Sequence, residues 1–302
     1  MLSDKIKALK YLWGELRLIV KANGINARYL DIPAKKNRVN LFEYYPKRLG
    51  YKMYQDNPYN LGDSLGEVIT RYLLEQKGID IDKPVSKTKH FFSVGSNIQG
   101  GYQDATIWGS GMLLPMLEWE VRLQKLSHRK LDIRALRGPL TKEFLEKTYG
   151  YKCPNVFGDP AILMPLIYQP KVEKMHDSLV IPQFCREDDF RNEHPDERMV
   201  SINTNDYKHV IDEIAASKIV YTSSLHGIIL AEAYGVPAIF FRWLGKKINF
   251  KYLDYYYSTG RRDIKIAESL EEAKQMEPLP LPDLSKMQQG LLDTFPYDLW
   301  EP

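Results

Sequence analysis

A histidine lies in a turn of small residues, within the stretch "YTSSLHGIILAEAYGVPAIFF" that spans residues 221–241. The apolar letters before the turn predict a short buried strand, "LHGIILAEAYG" has the apolar spacing of a helix, and "VPAIFF" predicts the next strand. Ligands of parallel sheets gather at the carboxyl ends of strands, which is where this order places His226. An imidazole can exchange a proton near neutral pH, although the amino terminus of a helix disfavours its charged form.

Two further turns carry groups that suit an anion or a polar substrate. "NLGD" places Asn60, Gly62 and Asp63 at the start of a periodic helix, whose free amides and positive dipole end favour an anion. Arg137 follows a predicted strand and precedes a helix that starts near Pro139, where its planar guanidinium can grip a phosphate or carboxylate. Alone, "NLGD" is equally typical of a structural turn, and Arg137 of a surface arginine paired with an acid.

The elements that position these turns alternate between strand and helix on both sides of about residue 170. This alternation predicts an α/β protein of two Rossmann-like domains, residues 1–170 and 171–302, which face each other across a cleft. The turns at 60–63, 109–111, 137–138 and 223–227 are expected to line that cleft. The charged segment "REDDFRNEHPDER" is predicted to be a solvated loop rather than a metal site.

Composition limits the classes of function. Of 302 residues, 44% are hydrophobic and 27% are charged, which is typical of a folded soluble protein. A net charge of only +3 does not indicate a nucleic-acid partner. The charged first residues predict no secretory signal, and the sequence contains no apolar run of the roughly 20 residues that span a bilayer. The two cysteines lie far apart in the sequence, so a cytoplasmic location is expected.

The first 24 residues predict an amphipathic helix with a stripe of Ile6, Leu9, Trp13, Leu16 and Val20. We favour a helix that packs on its own domain. The alternative is a basic amphipathic helix that rests on an anionic membrane surface, which would make the protein peripheral at the inner face of the cell membrane.

An ordered set of blocks resembles the polysaccharide pyruvyl transferase family. The blocks are "NLGDSLGEVI", "FFSVGSNIQ", "TIWGSGM", "ALRGPLTKEFL", "VFGDPAILMP", "VIPQF", "SSLHGIILAEAYGVPAIFF" and "FKYLDYYYSTGR", between about residues 55 and 262. The resemblance implies a fold similar to GT-B glycosyltransferases. It also implies transfer of the enolpyruvyl carbons of phosphoenolpyruvate onto two hydroxyls of one sugar, giving a cyclic ketal and phosphate without a metal or cofactor.

The resemblance assigns the central site residue by its position, and the predicted cleft suggests the others. His226 matches the family histidine proposed as general acid, while Ser224 stands where many members carry arginine before the Leu-His pair. The resemblance therefore leaves other cations to hold the phosphate and carboxylate of the donor: Arg137, Lys246, Lys251 and Arg261. Asp63 is the candidate to accept a hydroxyl proton or orient the sugar. The other predicted substrate-binding residues are Asn60, Gly62, Gly109, Ser110, Ser223, Ser224, Leu225 and Gly227, with Asn60 and the 109–111 turn on the acceptor side.

The resemblance extends to capsule-locus members, which implies an acceptor linked to undecaprenyl diphosphate, with galactose as the accepting sugar. Fold alone leaves two other functions open. One is a GT-B glycosyltransferase that uses a nucleotide sugar. The other is a non-catalytic scaffold of a polysaccharide assembly complex, because Ser224 departs from the family pattern.

Overall fold

A computed structural model describes residues 35–42, 60–99, 102–113, 116, 118–184, 187–242 and 250–301. The predicted amphipathic helix of the first 24 residues and the predicted donor ligand Lys246 lie outside these ranges. Within them, no helix combines the length and the apolar character that a membrane span needs.

The first half of the described chain forms a parallel sheet. Its strands, in the spatial order β1-β2-β3-β4, are β1 (Val39–Leu41), β2 (Lys89–Phe92), β3 (Ala105–Trp108) and β4 (Leu131–Ala135). The helices of this half are α1 (Leu61–Glu75), α2 (Glu118–Leu126) and α3 (Pro139–Tyr149). Every residue of β3 is buried, as expected for a strand of a parallel sheet that is covered on both faces.

A second parallel sheet follows, in the order β5-β6-β7. Its strands are β5 (Leu179–Ile181), β6 (Val220–Thr222) and β7 (Ala238–Phe240). The remaining helices are α4 (Met164–Ile167), α5 (Glu187–Glu193), α6 (Tyr207–Ala215), α7 (Leu225–Ala233), α8 (Phe250–Ser258), α9 (Leu270–Ala273) and α10 (Ser285–Asp293). The predicted α/β class with parallel sheets is therefore confirmed; the Rossmann-like domains, their boundary at 170 and the GT-B arrangement remain predictions.

One predicted loop is a helix. The segment that begins at Glu187 forms α5, with three acidic residues in its first turn and Phe190 buried beneath it. Acidic side chains near the positive end of a helix stabilise it, and a single aromatic residue anchors it. The charge pattern predicted a solvated loop, and this prediction was wrong because the backbone of residues 187–193 is helical.

A short 3-10 turn, Pro160–Leu163, packs against both α1 and α7. Asp159 precedes this turn and caps it, because its Oδ1 accepts a hydrogen bond of 3.1 Å from the backbone N–H of Ala161. The start of α1 is also tied to the second half of the chain, since the N–H of Leu61 donates to the carbonyl of Ile202 over 2.9 Å. These contacts bring the amino-terminal ends of α1 and α7 together.

The end of the chain returns to the first sheet. The indole N–H of Trp108 donates to the carbonyl of Leu291, and that of Trp300 donates to the carbonyl of Ile81. Trp300 also packs edge-on against Phe91 of β2. This segment lies on the first sheet because its aromatic rings find apolar partners and carbonyl acceptors there.

Candidate functional site

His226 occupies the first turn of α7 and packs directly on the start of α1. The residue is 9% exposed. A Cβ atom placed on Gly62 would lie 1.8 Å from Nδ1 and 2.1 Å from Cε1 of the imidazole, so only glycine permits this contact. Two turns with predicted site residues, more than 160 residues apart, therefore meet.

Asp63 lies beside this contact, with its carboxylate held by two amides. Asn60 donates from Nδ2 to Oδ2 over 2.8 Å, and Asn97 donates from Nδ2 to Oδ1 over 3.3 Å. Asn60 occupies the N-cap position of α1, and Asp63 is the acidic residue of the first turn of this helix. The structure thus places Asn60, Gly62 and Asp63 together with His226.

A second carboxylate, that of Asp159, faces the histidine and is not among the predicted site residues. Its Oδ2 lies 3.8 Å from Nε2 of His226, and Asp159 is fully buried. Removal from water raises the pKa of Asp159 to about 6, although the charge of Arg137 and two backbone N–H groups act in the opposite direction. The signal available in the sequence is the Gly-Asp turn of "VFGDPAILMP", one of the blocks that resemble the family.

The histidine is neutral at pH 7 in this structure. Burial, followed by the positive charges of Lys251 and Arg137, lowers the pKa of His226 to about 3. Asp159 is already protonated at the pH where His226 would gain its proton, so the two groups do not form an ion pair in the ligand-free protein. A general acid at this position must therefore acquire its proton when an anion binds.

Arg137 holds a carboxylate, but one that belongs to the protein. The guanidinium is fully buried and donates from Nε to Asp254 over 3.2 Å, from Nη1 to Ser96 over 2.6 Å and from Nη2 to the carbonyl of Met112 over 2.5 Å. Thr141 also donates to Asp254, from both its backbone N–H and its hydroxyl. Arg137 and the start of α3 together hold the carboxylate of Asp254 from α8.

The expected role of Arg137 in gripping the donor would require the guanidinium to exchange one of these contacts, and it stays a prediction. In the structure Arg137 is paired with an acid, Asp254, as the alternative interpretation expected. The pair is buried, however, and not on the surface.

The other predicted cations separate into two groups. Arg261 forms a two-pronged ion pair with Glu232, at 2.6 and 2.7 Å, near the end of α7 that is opposite His226. Lys251 is near the histidine, since its charge acts on the pKa of His226, and its ammonium lies 4.9 Å from the ring centre of Tyr252. The structure therefore brings Lys251 to the site and does not bring Arg261.

The small residues of the 223–227 turn shape its backbone. The hydroxyl of Ser223 accepts a hydrogen bond from the backbone N–H of Gln183, over 2.8 Å. The carbonyl of Ser223 accepts one from the hydroxyl of Tyr252, also over 2.8 Å. Ser224 occupies the N-cap position without a side-chain capping bond. A Cβ on Gly227 would lie 2.3 Å from Oγ1 of Thr222. Leu225 is buried in the core.

The 109–111 turn is hydrogen-bonded to the segment that holds the carboxylate of Asp63. Gly109 has a φ of 78°, and Ser110 is fully buried. The Ser110 hydroxyl donates to the carbonyl of Gly95 and accepts the N–H of Asn97, which holds Asp63. The expectation that this turn lines the acceptor side stays a prediction, because these bonds engage the Ser110 side chain internally.

Comparison with known proteins gives the class to which this fold and site belong. A profile of the family described as "Polysaccharide pyruvyl transferase" matches residues 60–245, more than half of the chain. The chain belongs to this family. It is 25% identical over 207 residues to "Uncharacterized protein L143" of Acanthamoeba polyphaga mimivirus, an alignment that covers 65% of this chain and 69% of that protein.

Among solved structures, the chain is similar to an uncharacterized protein, KP1_0663, from Klebsiella pneumoniae subsp. pneumoniae NTUH-K2044. The sequence identity is 14% and the TM-score is 0.47, over 73% of this chain and 87% of that one. The family assignment comes from the profile match, which includes all the site residues that converge on His226 except Lys251.

Proposed function

We propose that this protein transfers the enolpyruvyl group of phosphoenolpyruvate onto two hydroxyls of one sugar to form a cyclic ketal. The observation that carries the proposal is the contact between His226 and Gly62, which brings a proton-exchanging group onto the start of α1, the helix turn that carries Asp63, within the region that matches the family. An acid and a base for hydroxyl chemistry then lie at the amino-terminal ends of two helices, α1 and α7, where an anion is favoured.

The chemistry balances with these two groups. A proton adds to the methylene carbon of phosphoenolpyruvate, and the adjacent carbon becomes electrophilic. One sugar hydroxyl adds to that carbon, the bond from the carbon to the phosphate oxygen breaks, and the second hydroxyl closes the ring. Of the two hydroxyl protons released, one replaces the proton delivered to carbon and the other leaves with phosphate.

His226 is the proposed proton donor, and Asp63 is the proposed acceptor of a hydroxyl proton. The ligand-free histidine is neutral, so it must be charged by the donor itself: nearby negative charge favours the protonated form of an imidazole. Lys251 supplies a positive charge near His226 that can offset part of the donor's negative charge as phosphate leaves. No cofactor is required, since phosphoenolpyruvate is a substrate.

The proposed acceptor is a saccharide linked to undecaprenyl diphosphate, with a galactose-type residue that receives the ketal in capsule or exopolysaccharide synthesis. The protein would then act in the cytoplasm, with peripheral contact at the inner face of the membrane. These finer assignments rest on the sequence resemblance, and a panel of acceptors tests them.

The proposal is tested by ligand protection followed by mass analysis. Phosphoenolpyruvate should raise the melting temperature, because a ligand that binds only the native state stabilises it by mass action. Incubation with a panel of lipid-linked saccharides should add the mass of pyruvate less one water to a single acceptor. Protection by nucleotide sugars instead would favour a glycosyltransferase, and protection by neither would favour a scaffold; each result would overturn the proposal.

The contact between Gly62 and His226 makes a separate prediction. Gly62→Ala places a methyl group where the imidazole now lies, so the ring must move while α1, in which alanine is favourable, remains helical. We expect turnover to fall about 100-fold, as a displacement near 1 Å can cost. Gly290→Ala in α10 is the matched control, since its added carbon would meet Val156 at 3.2 Å, away from the site. Equal turnover in the two variants would contradict the placement of His226.

A further inference from the structure

Asp159 is a buried carboxylate whose two oxygens, Oδ1 and Oδ2, differ in their hydrogen bonds. Its Oδ1 caps the 3-10 turn through the N–H of Ala161. Among the residues that the structure describes, its Oδ2 accepts one hydrogen bond, a long one of 3.4 Å from the N–H of Gly95. An asparagine would cap such a turn as well as an aspartate does. A buried carboxylate is costly unless it is paired, so its presence calls for a further partner.

That partner is Nε2 of His226. This nitrogen is buried and has no hydrogen-bond partner among the residues that the structure describes. Oδ2 of Asp159 faces it from 3.8 Å, about 1 Å beyond hydrogen-bond length. The capping turn fixes the carboxylate from one side, and the contact of the ring with Gly62 fixes the imidazole from the other.

We propose that Asp159 is a positioning residue for His226: its carboxylate accepts the Nε2 proton, selects that tautomer and stabilises the imidazolium that forms when the anionic donor binds. The inference rests on the proposed function, because it assigns Asp159 to the reaction in which His226 gives up a proton. Asp159 itself need not contact the substrate.

The charges around the two groups agree with this role. Lys251 of α8 and Arg137, which follows β4, disfavour a charged imidazole in the ligand-free state. Asp63 of α1 lies beside the same contact, and Asp254 of α8 is held by Arg137. The carboxyl of Asp159, with a pKa near 6, is ionised at pH 7 and can therefore face an imidazolium as a counter-charge once the donor adds its own negative charge.

The test compares Asp159→Asn with the wild-type protein. We expect kcat to fall at least about tenfold, with a ceiling near the 10⁴-fold that loss of an orienting carboxylate costs a catalytic histidine. The KM for phosphoenolpyruvate should change little. The basic limb of the kcat profile should move to lower pH, because without the carboxylate the bound imidazolium loses its proton more easily. Calorimetry in two buffers of different ionisation enthalpy should show fewer protons taken up per donor bound.

Asp206→Asn is the matched control. Asp206 also caps a helix, accepting the N–H of His209 over 3.1 Å, but it is exposed, so its variant reports the effect of changing a capping aspartate alone. Unchanged kcat, pH profile and proton uptake in Asp159→Asn would overturn the inference while leaving the proposed function intact. A wild-type protein that neither binds nor turns over phosphoenolpyruvate would instead remove the proposed function.

A measurement on the wild-type protein covers the case in which Asp159→Asn does not fold. Nitrogen NMR of the histidine rings, with the His226 signals assigned by their absence in His226→Gln, reports which ring nitrogen carries the proton. We expect the proton on Nε2 in the free protein at pH 7 and on both nitrogens with phosphoenolpyruvate bound. A proton on Nδ1 alone in the free protein would overturn the inference.

Discussion

His226→Gln should fold and bind phosphoenolpyruvate, yet turn over about 10² to 10⁴ times more slowly than the wild-type protein. This range is the usual contribution of general acid catalysis, which glutamine cannot supply although it keeps a hydrogen-bonding group. His226→Ala should be at least as impaired. Turnover per folded molecule, measured as phosphate release with an active acceptor, is the direct readout.

A purely structural histidine gives a different pattern. Both variants would then lower the melting temperature and leave the activity of the folded fraction near normal. His209→Gln is the control, since His209 lies on α6 and its side chain is exposed. Near-native turnover in His226→Gln would end the general-acid proposal, whatever the melting temperature.

Arg137→Ala should destabilise the fold by about 3–5 kcal/mol, because it leaves the fully buried carboxylate of Asp254 without its cation. Urea unfolding monitored by fluorescence measures this loss. Arg137→Lys should recover only part of it, since an ammonium cannot reproduce the contacts to Asp254, Ser96 and the Met112 carbonyl together.

Two controls make the result specific. Arg134→Ala removes an arginine that is paired with Asp132 and Asp298 nearer the surface, and should cost about 0–1 kcal/mol. Arg137→Ala combined with Asp254→Ala should cost less than the sum of the two single changes, because the double variant leaves no unpaired charge. Wild-type stability in Arg137→Ala, combined with lost donor affinity, would return Arg137 to its predicted role as a donor ligand.

The local parts of the fold could be predicted from the sequence. The strand, turn and helix around His226 appear as β6, α7 and β7, close to the predicted positions. Such elements follow from the period at which side chains are buried, which is a property of neighbouring residues. The Gly-Asp and Ser-Ser turns were found for the same reason, since their small and polar residues stand out against apolar strands.

The α5 helix shows where local pattern was insufficient. Its sequence is charged almost throughout, and only Phe190 is buried, so its apolar spacing is too sparse to indicate a helix. Acidic residues at its amino terminus favour a helix, but so short a helix is stable only when Phe190 packs against the rest of the protein. The sequence of this segment does not show that packing.

The sequence by itself determined the α/β class, the small-residue turns and, through ordered motifs, the family to which the chain belongs. Only the tertiary structure decided which charges meet. It pairs Asp254 with Arg137 and Glu232 with Arg261, and it places Asp159 beside His226. The physical reason is that burial and charge act through space: a carboxylate distant in sequence becomes a partner when packing removes both groups from water, and no local spacing encodes that encounter.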